Sequence, residues 1–279
     1  MSQQLAKFKL LDLPLTATEH VIRQLDFETI TNLHISEKDA RSYRPQGILY
    51  QFLNSKNQIQ VNWDVSFQAG RETIMTHFAE SFRSPKISME FGCDIDPKTS
   101  LTLLNHAKSL NSPLMEVEMR LQYLPIEVYK AFLDVGPRIV HKLHIASANS
   151  PDFQYRSSEV FKLDKLDIND GHWVHLEDFM ECKHVIVRNM TKHPNMYCAN
   201  SEKLNDFFKL WKASSYRLEH LELDVHYTRN LSFEGITAEL DGTNYLRTDY
   251  EQSVEIQRDD EVKAKIRITP MYLTLKVVA

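Results

Sequence analysis

Three observations predict an α/β (α+β) fold for this 279-residue chain. Residues 10–43 carry three helix-start signals with apolar residues at helical spacing. The middle alternates strand-like and helix-like segments at irregular intervals. The tail alternates apolar and polar residues in short runs separated by turn residues. Together they predict three short N-terminal helices, a curved strand–helix repeat domain, and a closing antiparallel meander.

In the first region, Thr16 with Glu19 three residues later makes a capping box, each side chain serving the other residue's backbone N–H. Asp26 is a second N-cap ahead of Phe27, Ile30 and Leu33, and Ser36 with Asp39 is a third. Pro14 stops any helix from entering earlier, because it lacks an N–H and holds Leu13 extended. Val21, Ile22 and Leu25 share one face, and Leu10, Leu11, Leu13 and Leu15 form an apolar lead-in. Helices of about ten residues are marginal alone. The unit must therefore lean on the rest of the chain or on another protein.

From Gly47 the texture turns to strand. Ile48, Tyr50 and Phe52 alternate in one run, Ile59, Val61 and Trp63 in the next, with Asn54-Ser55-Lys56 between them as a hairpin junction. Helices are predicted over 71–83 and 97–110, and a third begins at Pro125, where a missing N–H does no harm. Each leads into a strand: KISMEF, LMEVEMRL and RIVHKLHI. LDKLDI and KHVIVRN are further strands, with at most two helical turns at 175–180 between them. A strong helix over 201–213 has Ser201 as its predicted cap and Leu204, Phe207, Phe208 and Trp211 facing inward, and LEHLELDV follows. Strand starts recur about every 20 to 36 residues, the mark of stacked units that cannot bury a face singly. In the tail, SVEIQ, VKAKIRI and MYLTLKVV read as a meander, with Asp259 and Asp260 in its first turn. Such a meander would cover the exposed edge of the last repeat.

Composition narrows the function. A hydrophobic content of 42% and a charged content of 25% are those of an ordinary globular protein. A net charge of −5 with dispersed Lys and Arg argues against nucleic acid as the main partner. No apolar run approaches the roughly twenty residues of a membrane span, so no membrane partner is expected. The first fifteen residues do not read as a signal peptide, because Asp12 and Pro14 interrupt the apolar stretch. Cys93, Cys182 and Cys198 then read as reduced intracellular thiols, in a cytoplasmic or nuclear protein. With 7 glycines, a phosphate-cradling glycine loop is excluded.

No catalytic, metal or cofactor site is predicted. Cys182 with His184, and His193 with Cys198, are zinc-ligand types at spacings too loose for a zinc site. His144, His175, His184, His220 and His226 stand in no nucleophile–base motif. Asp224 and His226 would share a strand face, as an acid–imidazole pair requires, and read more simply as solvated rim residues. For binding, the sequence offers apolar and aromatic residues in loops: Phe153, Tyr155, Trp173, Met196 and Tyr197.

Leu13-Pro14, Val21-Ile22, Leu25, Ile30, Leu33, Ser36, Lys38 and Arg41 together resemble an F-box, the helical module that docks onto the Skp-type adaptor of cullin-RING ubiquitin ligases. Three strand triplets resemble the strand part of leucine-rich repeats: Val140, Leu143, Ile145; Leu163, Leu166, Ile168; and Leu218, Leu221, Leu223. Asn169 and Asn189 would fit an incomplete asparagine ladder. The whole pattern is similar to the large nematode family of F-box proteins with an F-box-associated domain, most closely over 183–250. The resemblance implies an F-box-like module over 1–46, a hairpin connector over 47–70, and an F-box-associated, leucine-rich-repeat-like recognition domain over 71–279. It implies a non-catalytic, substrate-receiving subunit of an SCF-type ubiquitin ligase. Leu13, Pro14, Leu15, Val21, Ile22, Leu25, Ile30 and Leu33 would contact the adaptor, a cullin scaffold would complete the assembly, and the repeat domain would hold an unidentified target protein. The alternative is a leucine-rich-repeat-like protein-binding scaffold acting outside ubiquitin transfer.

Overall fold

A computed structural model describes residues 32–36, 49–53, 58–62, 72, 75–76, 86–91, 96–110, 114–120, 124–135, 140–148, 150–192, 196–228 and 231–278. Leu13, Pro14, Leu15, Val21, Ile22, Leu25 and Ile30 lie outside the described residues, as do Cys93 and His193. The chain divides into two compact units, Met1–Leu121 and Gln122–Ala279. Both mix strands and helices, as the sequence predicts. No helix among the described residues is long and apolar enough to cross a membrane.

In the first unit, β1 (Asn32–Ser36), β2 (Leu49–Leu53), β3 (Gln58–Asn62), β4 (Lys86–Phe91) and β5 (Leu114–Met119) lie in the order β2-β3-β1-β4-β5. The β2–β3 hairpin is antiparallel, with Tyr50 opposite Val61 and Phe52 opposite Ile59, the register that the alternating residues predict. β1 is a correction. Leu33 was assigned to a helix face and Ser36 to a helix cap, but both lie in a strand paired in parallel with β3 and β4. The reason is visible in NLHIS: Leu33 and Ile35 alternate with polar residues at a period of two. The ladders on both sides also give the backbone partners that a short helix end would leave unsatisfied.

Helix α1 (Pro97–Ser109) follows β4 and starts where the chemistry dictates. The Asp96 carboxylate accepts from the Thr99 backbone N–H at 2.9 Å, and Pro97 occupies the first turn. Its buried face is Thr99, Ser100, Leu103, Leu104 and Ala107. Ile87, Met89 and Phe91 of β4 are buried with Val117 and Met119 of β5. Glu72, Met75 and Thr76 are helical, within the predicted 71–83 segment.

The second unit contains α2 (Ile126–Val135), β6 (Val140–Ile145), β7 (Lys165–Ile168), a 3₁₀ turn (Leu176–Phe179), β8 (His184–Val187), α3 (Ser201–Lys212), β9 (His220–Asp224) and α4 (Phe233–Thr237). Four further strands end the chain: β10 (Thr243–Arg247), β11 (Gln252–Gln257), β12 (Lys263–Ile268) and β13 (Tyr272–Val278). β6, β7, β8 and β9 run parallel in sequence order. The chain then skips to the far edge and returns, so the rest of the sheet reads β9-β13-β12-β11-β10, all antiparallel. The predicted meander thus closes the last repeat through β13. β10 is an additional strand.

The nine residues of the three leucine-rich-repeat-like triplets are all buried. Leu204, Phe207, Phe208 and Trp211 of α3 are buried as predicted. Its N-cap, however, is Asn200, whose side chain accepts from the N–H groups of Glu202 and Lys203 at 2.9 and 3.2 Å. The far end of α3 is held by the β11–β12 turn. The Asp259 N–H donates to the Lys212 carbonyl at 3.1 Å, and Arg258 lies over the Trp211 ring while donating to the Tyr216 carbonyl at 2.7 Å and to both Asp260 oxygens at 2.8 Å. The predicted aspartate turn therefore also caps a helix.

Candidate target-binding face

Most of the loop residues predicted to meet a target do something else. Phe153, Tyr155, Trp173 and Met196 are buried, and burial removes them as contact residues. Phe153, Tyr155 and Trp173 instead join Tyr129 of α2 in an edge-on aromatic cluster with centroids 4.9 to 5.9 Å apart. The Trp173 indole donates to the Asp170 carbonyl at 3.1 Å, and the Tyr155 hydroxyl donates to Asp134 at 2.8 Å. The physical cause is the connection between β6 and β7, which has no helix or strand of its own and needs large anchors to stay ordered. Tyr197 alone of the five is exposed. It stacks on His175 with centroids 3.7 Å apart and lines a cavity of about 350 Å³ with Lys203, Phe207 and Leu210.

The residues singled out for chemistry do not converge. Cys182 and Cys198 are buried, and burial pushes both thiols up to about 12. Cys182 Sγ donates to the Phe161 carbonyl, while His184 is exposed 3.9 Å from Glu219. Asp224 and His226 do not share a strand face: β9 ends at Asp224, whose carboxylate takes the His226 backbone N–H at 3.1 Å in a turn. Asp170 and His172 make an acid–imidazole approach at 3.5 Å, but both are buried beyond reach of any substrate. Asn189 is buried and bridges to Asp170, while Asn169 is partly exposed and accepts from Arg188 at 3.1 Å, so the two do not form a regular ladder.

The pleat of the second unit's sheet builds a different surface. Leu143, Leu166, Val185, Leu221, Leu275, Ile266 and Val254 are cross-strand partners in one row, and all are buried. The row one residue away must point to the other face. It reads Lys142, Lys165, His184, His220, Lys276, Lys265 and Glu255, each in register with the next and each exposed or partly exposed. A cavity of about 410 Å³ opens there, lined by Lys165, His184, Ile186, Glu219, His220 and Lys276 among others. The His184 and His220 rings meet edge-on, 6.0 Å between centroids. Burial lowers the pKa of His220, Glu222 at 4.0 Å works against that, and His184 and Lys276 add to it.

At the N-terminal end of these strands, Asp164 gathers an imidazole and two cations: His141 at 3.2 Å, Arg217 at 3.1 Å and Lys183 at 3.7 Å. Burial works to raise the Asp164 pKa, but the His141 hydrogen bond and the nearby Lys183 and Arg217 charges outweigh it and hold it below its ordinary value. Sequence reasoning misses this surface because its lysines come from four strands, with an imidazole from each of two more. Only the register lines them up, and the detectable signal is a basic residue immediately before the middle residue of each apolar triplet: Lys142, Lys165 and His220.

A third concavity of about 760 Å³ lies beside α2, with Asp134, His141, Tyr155, Val160 and Phe161 in its wall. Neither this hollow nor the one on the sheet face aligns a nucleophile with a base. What the sheet face offers is lysine charge held in register across several strands, an arrangement suited to recognition. No curated protein and no solved structure matches the chain. Residues 157–223, which run from the loop before β7 through β9 and cover well under half of the chain, match the family model described as F-box associated, and so support an F-box-associated domain in this part of the second unit.

Proposed function

We propose that the chain is a non-catalytic substrate-recognition subunit of an SCF-type, cullin-RING ubiquitin ligase. In this reading Leu13, Pro14, Leu15, Val21, Ile22, Leu25 and Ile30 bind a Skp-type adaptor, and the second unit holds the target protein. The observation that carries the reading is the match of 157–223 to the F-box-associated model. That span supplies β7, β8 and β9 and with them half of the open sheet face. Co-expression with a Skp-type adaptor tests it. A soluble heterodimer is expected, and Leu13→Ala with Pro14→Ala should weaken it while circular dichroism stays unchanged. An unpaired chain, or a pairing indifferent to that double substitution, would count against it.

A second reading draws on β1. Leu33 lies in a strand where an F-box helix would be expected, which favours a leucine-rich-repeat-like scaffold acting outside ubiquitin transfer. That scaffold would bind protein through the same sheet and ignore the adaptor.

A further inference from the structure

We propose that the open face of the second unit's sheet binds an acidic, extended segment of the target protein across the row Lys142, Lys165, His184, His220, Lys276 and Lys265. The proposal rests on the target-binding reading above and adds the chemistry of the target.

Like charges directly opposite on neighbouring strands destabilise a sheet. Here Lys142 faces Lys165, and Lys276 faces Lys265, with two imidazoles between the pairs. The buried apolar row one residue away fixes the pleat, so the cations cannot turn off this face. Lys142, Lys165, Lys265 and Lys276 have no ion-pair partner among the described residues. The carboxylates on the face are themselves engaged: Glu219 and Glu222 lie 3.9 and 4.0 Å from His184 and His220 of the row, Asp167 pairs with Arg188, Glu251 pairs with Arg267, and Glu255 accepts from Asn244. Four ammonium groups without an ion pair among the described residues thus stand in one line beside a cavity, Lys265 being next to Glu255 in register. The energetic cost of that arrangement is relieved by an anionic ligand.

The span selects the ligand. Strands lie about 4.8 Å apart, so the row from β6 to β12 is roughly 24 Å long. An extended peptide rising about 3.3 Å per residue covers that in some seven residues, with every second side chain facing the sheet. Interspersed Glu219, Glu222 and Glu255 would repel a continuous polyanion such as RNA, and discrete carboxylates can be set between them.

The test uses the full chain and a fluorescein-labelled peptide of about twelve residues with Glu at alternate positions, read by anisotropy at about 50 mM salt. Binding is expected to weaken as salt rises. Lys165→Glu with Lys276→Glu should weaken it on the order of tenfold or more. Lys98→Glu with Lys130→Glu, exposed on helices α1 and α2, should leave it unchanged. Thermal melts report that each variant is folded. Absence of peptide binding by the folded chain, equal loss in both double variants, or tighter binding of an oligouridylate of equal charge would overturn the proposal. Adaptor co-purification is scored separately. Its loss with peptide binding intact removes the ligase reading and leaves this surface standing.

Discussion

Gly171 follows β7 in a turn that lies against β8. A Cβ built there would sit 2.1 Å from Val187 Cγ1 and 3.2 Å from Val174 Cγ2, both packed side chains, while the Gly171 N–H donates to the Arg188 carbonyl at 3.0 Å. Gly171→Ala must push β8 away or break that hydrogen bond. Overpacking of this kind costs about 1–3 kcal/mol, and the expected result is a lower urea midpoint with an unchanged slope. His175 argues a pH dependence from one side chain. Burial, with Arg156 and Lys203 nearby and Glu177 opposing, pushes it from 6.5 down to about 4. Between those values the unfolded chain holds the proton and the folded chain does not, so stability falls as pH drops from 6.5 towards 4 and is fully present above that window. His175→Phe keeps a ring against Tyr197 and removes the titration. Melting temperatures at pH 7.5 and pH 5 should differ less in that variant than in the parent, and an equal difference would refute the assignment.

At the scale of elements, what a local pattern can encode was legible and what depends on distant partners was not. Leu204, Phe207, Phe208 and Trp211 have a helical period that no tertiary context is needed to read, and the helix is there with those four inward. The alternation in 49–62 likewise predicts the hairpin and its register. Failures lie where two local signals compete. Asn200 and Ser201 are both good caps. The structure uses Asn200 and gives the Ser201 hydroxyl a different task, accepting the Ser232 N–H at 2.9 Å where α4 is capped. Asn200→Ala should therefore cost about 1 kcal/mol, measured by chemical denaturation; no loss would return the capping role to Ser201. β10 is illegible for another reason. Asn244 has a φ of 54° and the register shifts between Thr243 and Leu246, so no clean period of two is written in TNYLR. For the candidate face, the sequence holds its lysines in four separated segments, and residue type alone does not distinguish a loop aromatic that anchors from one that makes contact.

Over the second unit as a whole, sequence order and sheet order part company at one place, and that place governs folding. β13 ends the chain, yet it lies between β9 and β12 in the sheet. Leu273 pairs with Leu223 on one side and Ile268 on the other, and Leu275 pairs with Leu221 and Ile266; Leu273 and Leu275 are fully buried. The parallel strands and the meander therefore join through β13, and the apolar row across seven strands is continuous only when it docks. β10, at the opposite limit, is an edge strand with all five residues exposed. Deleting 272–279 should leave two half-sheets with unpaired interior edges, hence an aggregating product without a cooperative melting transition. Replacing 243–247 by a Gly/Ser run of equal length should keep cooperative unfolding and lower the midpoint slightly. Native-state hydrogen exchange supplies the measurement on the intact chain: the amides of β13 should be protected to the level of global unfolding, and those of β10 should exchange by local fraying. If β13 exchanges as fast as β10, the two parts of the sheet are not one cooperative body and the open face cannot act as a single rigid row.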